Sequence, residues 1–194
     1  AVRLRRVLAG APPAAYTPNL ATSLNNLATF LSEAGQRGEA LEAAREAVRL
    51  RRVLAGESPA AYTPNLATSL NNLANRLSEA GQRGEALEAA REAADLYKAL
   101  AGESPAAYTP DLAGSLNNLA NRLSEAGQRG EALEAAREAV RLRRVLAGES
   151  PAAYTPDLAG SLNNLANRLS EAGQRGEALE AAREAADLYK ALAG

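Results

Sequence analysis

Apolar residues along this chain fall at helical spacing. In the clearest stretch, which begins at Pro64, Leu66, Leu70, Leu73, Ala74 and Leu77 recur at about 3.6 residues and mark one helix face. Thr63-Pro64 sets a capping hydroxyl ahead of a proline at the first helical position, where its missing N–H costs nothing, and Gly81 supplies a left-handed stop. The pattern predicts a first helix, helix A, over roughly 64–80. Ser58-Pro59 carries the same signature just upstream and predicts a short turn. A second helix, helix B, is predicted from about Gly84 to Ala101, burying Ala86, Ala90, Ala93, Tyr97 and Leu100 and ending at Gly102. Its Glu85, Glu88 and Glu92 come early and Lys98 comes late; other copies of the helix close on the basic runs 49–52 and 141–144. That order suits the helix macrodipole. Alanines on helix B allow close approach of helix axes, and the leucines of helix A fill the space between.

The whole pattern returns every 46 residues: Tyr16, Tyr62, Tyr108 and Tyr154 keep that spacing, and so do Gly10, Gly56, Gly102, Gly148 and Gly194. The chain therefore divides into a partial helix B over 1–10 and four helix-pair blocks, 11–56, 57–102, 103–148 and 149–194, read together as one repeat domain over 1–194. Block 57–102 differs from block 149–194 only at Asn65/Asp157 and Thr68/Gly160, an identity of 44 in 46. Recent duplication and deliberate construction both account for such closeness. Helix B ends as Val-Arg-Leu-Arg-Arg-Val at 2–7, 48–53 and 140–145, but as Ala-Asp-Leu-Tyr-Lys-Ala at 94–99 and 186–191, so a 92-residue doublet underlies part of the array. A single antiparallel pair cannot cover its own apolar faces, so pairs must stack. The expected fold is all-α.

Leu70, Leu73, Ala74, Leu77, Gly81, Ala86, Ala90 and Ala93 fall at the offsets of the tetratricopeptide repeat, and the chain resembles that family across all four blocks. It departs from the pattern at Leu77, Arg83 and Ala90, where the family often has aromatics, and its period exceeds the usual length of about 34. The Ser-Leu-Asn-Asn-Leu-Ala run at 69–74, repeated at 23–28, 115–120 and 161–166, resembles the longer repeats of kinesin-light-chain type. The Ala-Ala-Tyr-Thr-Pro-Asp-Leu-Ala segment resembles arrays appended to bacterial signalling ATPases. The resemblance implies an α–α superhelix that binds a protein or peptide in a concave groove lined by helix A.

Thr68, Asn71, Asn75 and Ser78 lie on the side of helix A away from the leucine stripe, the side that the resemblance turns toward the groove. Asn71 and Asn75 are i, i+4 neighbours whose amides could together bond an extended peptide backbone. Copies recur as Asn25, as Asn117 and Asn121, and as Asn163 and Asn167, whereas the first block has Thr29 and Phe30 where later blocks have Asn-Arg. The competing reading has Asn72 and its equivalents bonding the neighbouring helix while Asn71 and Asn75 are merely solvated. Gly114 and Gly160 replace Thr22 and Thr68 at a cost of up to ~1 kcal/mol each, through drift or for clearance. Tyr16, Tyr62, Tyr108 and Tyr154 are expected in the connections, wedged between successive pairs. With so few Trp, Tyr or Arg anchors on this face, any ligand should bind weakly.

Composition narrows the chemistry. His, Cys, Met and Trp are all absent, which removes disulfides, imidazole and thiolate metal sites and every histidine-based catalytic device. Glu85 and Glu88 sit on an exposed helix start rather than across a cleft, and Gly81-Gln82-Arg83-Gly84 is a helix–helix turn, not a phosphate loop. No enzyme activity, cofactor or metal is expected. A net charge of −1 argues against nucleic acid, and the arginine triplets face glutamates in their own helices. No apolar run approaches the ~18 residues that a membrane span needs, and Ala1-Val2-Arg3-Leu4-Arg5-Arg6 lacks the apolar region of a signal peptide, leaving the cytoplasm as the default location. Residues 1–56 carry eight basic and four acidic groups, net +4, whereas 149–194 carry four and seven, net −3. With repeat faces open at both ends, that asymmetry makes head-to-tail self-association the alternative to a binding array.

Overall fold

The computed structural model describes residues 13–193. Among them are eight helices and no strand: α1 (Pro13–Glu33), α2 (Arg37–Glu57), α3 (Pro59–Glu79), α4 (Arg83–Glu103), α5 (Pro105–Glu125), α6 (Arg129–Glu149), α7 (Pro151–Glu171) and α8 (Arg175–Ala193). The fold is all-α, with helices adjacent in sequence packed in pairs. The predicted partial helix B over 1–10 lies outside the described residues. The chain forms two compact units, Ala1–Leu96 and Tyr97–Gly194, the division falling within α4.

Between the two helices of a pair the backbone behaves as its glycines dictate. Gly35, Gly81, Gly127 and Gly173 take φ of 76° to 80°, a region that costs other residues a steric penalty. At Gly81 the turn closes with Gly81 N–H donating to Ser78 O at 2.8 Å and Gln82 N–H donating to Leu77 O at 2.8 Å, the six-to-one bond of a Schellman motif.

The other joint departs from expectation. The first helix starts at Pro59 rather than Pro64, so the expected short turn and helix A are one element of 21 residues with Pro64 inside it. Ser58 O closes the first turn by accepting from Ala61 N–H at 3.2 Å and Tyr62 N–H at 3.1 Å, and Pro64 then omits a single ladder bond near the helix start. The Ser58 hydroxyl makes no capping bond. Helix B likewise runs past Gly102 to Glu103, and Gly102 is an ordinary helical residue. Its true stop is the residue before the next proline. Ser58, Ser104 and Ser150 sit at φ −146° to −142° and ψ 80° to 83°, the extended conformation forced on a residue that precedes proline. Tyr62, Tyr108 and Tyr154 consequently ride on the first turns of α3, α5 and α7, half-buried, instead of sitting in a connection.

In the first unit Leu20, Leu24 and Ala28 of α1 bury against Ala43, Ala44 and Ala47 of α2, with Leu73 of α3 packed alongside. In the second, Leu158, Leu162, Ala166 and Leu169 of α7 meet Leu133 and Val140 of α6 and Ala181 and Ala185 of α8. Leucines on first helices and alanines on second helices thus divide the packing as the spacing predicts. Second helices are also tied to one another 40 residues apart. Arg45 donates to Glu85 at 2.9 Å and Arg137 to Glu177 at 3.3 Å; Arg144 pairs with Glu184 at 2.7 Å, and Arg52 pairs with Glu92. Among the described residues no helix is long and apolar enough to cross a membrane.

Candidate functional site

The polar side of the first helices is a network between helices more than a row of free amides. Asn25 Nδ2 of α1 donates to Ser69 Oγ of α3 at 2.7 Å, and Ser69 Oγ donates in turn to Asn65 O at 3.0 Å. The second unit repeats the joint: Asn117 Nδ2 of α5 donates to Ser161 Oγ of α7 at 2.6 Å. Asn164 Nδ2 returns bonds to Asn117 O at 3.2 Å and Asn117 Oδ1 at 3.3 Å, so the second asparagine of the Asn-Asn pair does bond its neighbouring helix. Ser32 donates to Glu79 at 2.5 Å and Ser124 to Glu171 at 2.6 Å, lacing the far ends of the same helices.

Not every candidate takes part in this lacing. Asn25 and Asn117 are half-buried braces, and Asn71 is engaged as well. Thr68 is exposed and returns its hydroxyl to Pro64 O at 3.1 Å. Asn75, Ser78 and Asn121 are half-buried, and Ser78 is engaged; Asn163 and Asn167 of α7 are open to solvent. The i, i+4 pairs therefore share a face but not a task, the first member bracing and the second remaining nearer to solvent.

Ser69, Ser115 and Ser161, at most 1% exposed, are functional parts of this network that the sequence reading passed over. A signal was present: Ser69 stands within the apolar stripe, between Leu66 and Leu73, where a hydroxyl needs a partner. The arginine triplets were also misjudged as a group. Arg49 and Arg141 do face glutamates of their own helices, but Arg52 and Arg144 reach the next second helix, and the middle arginines are buried. Arg51 Nη2 donates to Thr22 Oγ1 at 2.6 Å, whereas Arg143 Nη1 pairs with Asp157 Oδ2 at 2.8 Å. Burial lowers the Arg51 pKa from its ordinary value, and nearby Tyr62 opposes that shift.

Two grooves open on the first unit. The larger, about 840 Å³, lies between α1 and α2 over Leu24, Leu27, Leu31 and Ala43, rimmed by Glu39 and Glu46. One repeat along, the equivalent surface of α3 and α4 carries Leu70, Leu73, Leu77 and Ala89 between Glu85 and Glu92; Arg52 reaches over it and about 210 Å³ remains.

A profile of the tetratricopeptide repeat matches residues 20–60, 66–106, 112–152 and 158–194. No curated protein matches the sequence. Among solved structures, BtubC (BKLC) from P. vanneervenii is similar over 91% of this chain and 66% of its own, with a TM-score of 0.74 and 22% identity. MamA is similar over 99% of this chain and 88% of its own, with a TM-score of 0.63 and 16% identity. At these identities the likeness is one of fold.

Proposed function

The chain belongs to the tetratricopeptide repeat family, whose members are generally non-enzymatic protein-interaction scaffolds, and from that premise we propose that it holds a protein or peptide partner against its first helices. The observation that carries this reading is the division of labour along those helices. Asn25, Asn71 and Asn117 hold neighbouring elements in register, while Thr68, Asn75, Ser78, Asn121, Asn163 and Asn167 present hydroxyls and amides at one register position after another. Such a row suits an extended backbone, which offers a donor and an acceptor per residue. No catalytic step and no cofactor is assigned to the chain.

The test is selection of peptides from a random displayed library on the full chain, followed by calorimetry on the winners. Asn121→Ala with Asn167→Ala should weaken a selected peptide by about tenfold, near 1.4 kcal/mol. Unchanged affinity in that double variant would remove the first-helix face from the proposal. Head-to-tail stacking predicts instead a scattering mass that grows with protein concentration and falls in salt, which the same preparation reads directly.

A further inference from the structure

The two units contain the same buried arginine in two different settings. In the second, Arg143 is satisfied from the solvent side: the Asp157 carboxylate, itself half exposed, reaches in to Nη1. At the Thr22 position stands Gly114, whose absent Cβ would meet Arg143 Nη2 at 3.7 Å, so no hydroxyl serves the guanidinium there. In the first unit both neighbours are exchanged. Thr22 supplies a neutral oxygen to Arg51 Nη2, and residue 65 is asparagine, with its amide turned to its own helix at 3.4 Å from Ala61 O. Arg51 is 5% exposed, its Nε is buried without a partner, and among the described residues no carboxylate lies within ion-pair distance of it. A buried guanidinium held by one hydroxyl is under-compensated, because desolvation of the cation is repaid only by an anion in good geometry.

We propose that Arg51, with Thr22 behind it and Asn65 at its mouth, is a carboxylate-binding subsite, taking from a bound partner the group that Asp157 supplies to Arg143 within the chain. Asp157 marks the route, since a carboxylate arriving from solvent beside the first turn of a first helix meets Nη1 of the arginine. Burial makes the subsite selective: a carboxylate that satisfies both Nη1 and Nε forms the two-pronged bond that guanidinium geometry favours. Thr22 occupies Nη2 and fixes the plane of the fork. The subsite deepens the protein-binding reading and rests on it for the identity of the partner as a protein chain. Acidic side chains and a chain's terminal carboxylate share the required chemistry.

The experiment reads the subsite directly, apart from any macromolecular partner. Acetate is titrated into the full-length chain at constant ionic strength while the Nε–H resonances of Arg51 and Arg143 are followed by nuclear magnetic resonance, each assigned by its loss in the corresponding Arg→Lys variant. Acetate should move the Arg51 resonance saturably and leave Arg143 still. Asn65→Asp should abolish the Arg51 response by supplying the carboxylate internally, and Asp157→Asn should create a response at Arg143. Both substitutions install residues that this chain already tolerates at the equivalent position. Two capped peptides then separate the sources: Ac-Ala-Glu-Ala-NH2 carries only a side-chain carboxylate, Ac-Ala-Ala-Ala-OH only a terminal one, and competition with acetate by either supports the subsite. An Arg51 resonance indifferent to acetate, or equally responsive in Asn65→Asp, overturns it. If the subsite titrates while no library peptide binds the chain, the scaffold reading alone fails.

Discussion

The Asn25–Ser69 joint decides whether the first-helix amides are structural, and a double-mutant cycle measures it. Ser69 is fully buried and both accepts from Asn25 Nδ2 at 2.7 Å and donates to Asn65 O at 3.0 Å. A neutral hydrogen bond of this kind contributes about 0.5–1.5 kcal/mol net. Ser69→Ala removes two such bonds but gains up to about 0.5 kcal/mol in helix propensity, so a loss of about 1–2 kcal/mol is expected. Asn25→Ala loses one bond with a similar propensity gain, leaving about 0.5 kcal/mol. Because both changes delete the same contact, the pair should couple by about 1 kcal/mol. Asn163→Ala is the internal control: it has the same register position on α7 but an exposed side chain, and it should be neutral or stabilising by up to about 0.5 kcal/mol. Urea unfolding followed by far-ultraviolet circular dichroism gives the totals, and native-state hydrogen exchange of α1 and α3 amides localises them. Coupling below about 0.3 kcal/mol, or a loss in Asn163→Ala equal to that in Asn25→Ala, would refute the bracing role.

Three further outcomes follow from the geometry. Gly81→Ala, at φ 77°, should cost about 1–2 kcal/mol, while Gly102→Ala, helical and with open space around its Cβ, should gain about 0.5 kcal/mol; melting temperatures of opposite shift check the pair. Leu162→Ala, in a side chain 1% exposed at the centre of the second core, should cost about 2–5 kcal/mol and raise amide exchange in α6, α7 and α8 while sparing α1. Glu138 titrates below the ordinary carboxylate range because Arg141 hydrogen-bonds it, with Arg141 and Lys98 charges adding to the effect and partial burial opposing it. Its stabilising contribution is therefore complete above the usual carboxylate pKa near 4 and is lost as pH falls through the lower folded value. Glu138→Gln should flatten that part of the acid limb in melts taken from pH 7 to pH 3, and an unchanged limb would show the pair to be inert.

Much of the fold could be read directly from the residues because its causes are local. A 3.6-residue spacing of leucines and alanines specifies helices and the faces they bury, and Gly81 and its copies specify the turns because few other residues enter the left-handed region without strain. The 46-residue recurrence then carries one pair into four. Locality also explains the error at the other joint. Two proline signals stood six residues and one residue past the real stop, and only the closed first turn at Ser58 shows that Pro59 starts the helix while Pro64 is absorbed by it. Polar residues are different, since a side chain's task depends on what lies across from it. Asn25 and Asn163 are the same residue in the same register, yet one meets a serine 44 positions away and the other meets solvent. Arg51 and Arg143 are likewise identical in their own helices and part company only through Thr22 against Gly114 and Asn65 against Asp157. The sequence alone determined the all-α repeat and its turns, because those follow from backbone preference and period. Which amides brace, which stay open and which guanidinium lacks a carboxylate were decided only when packing set distant helices side by side and desolvated the groups between them.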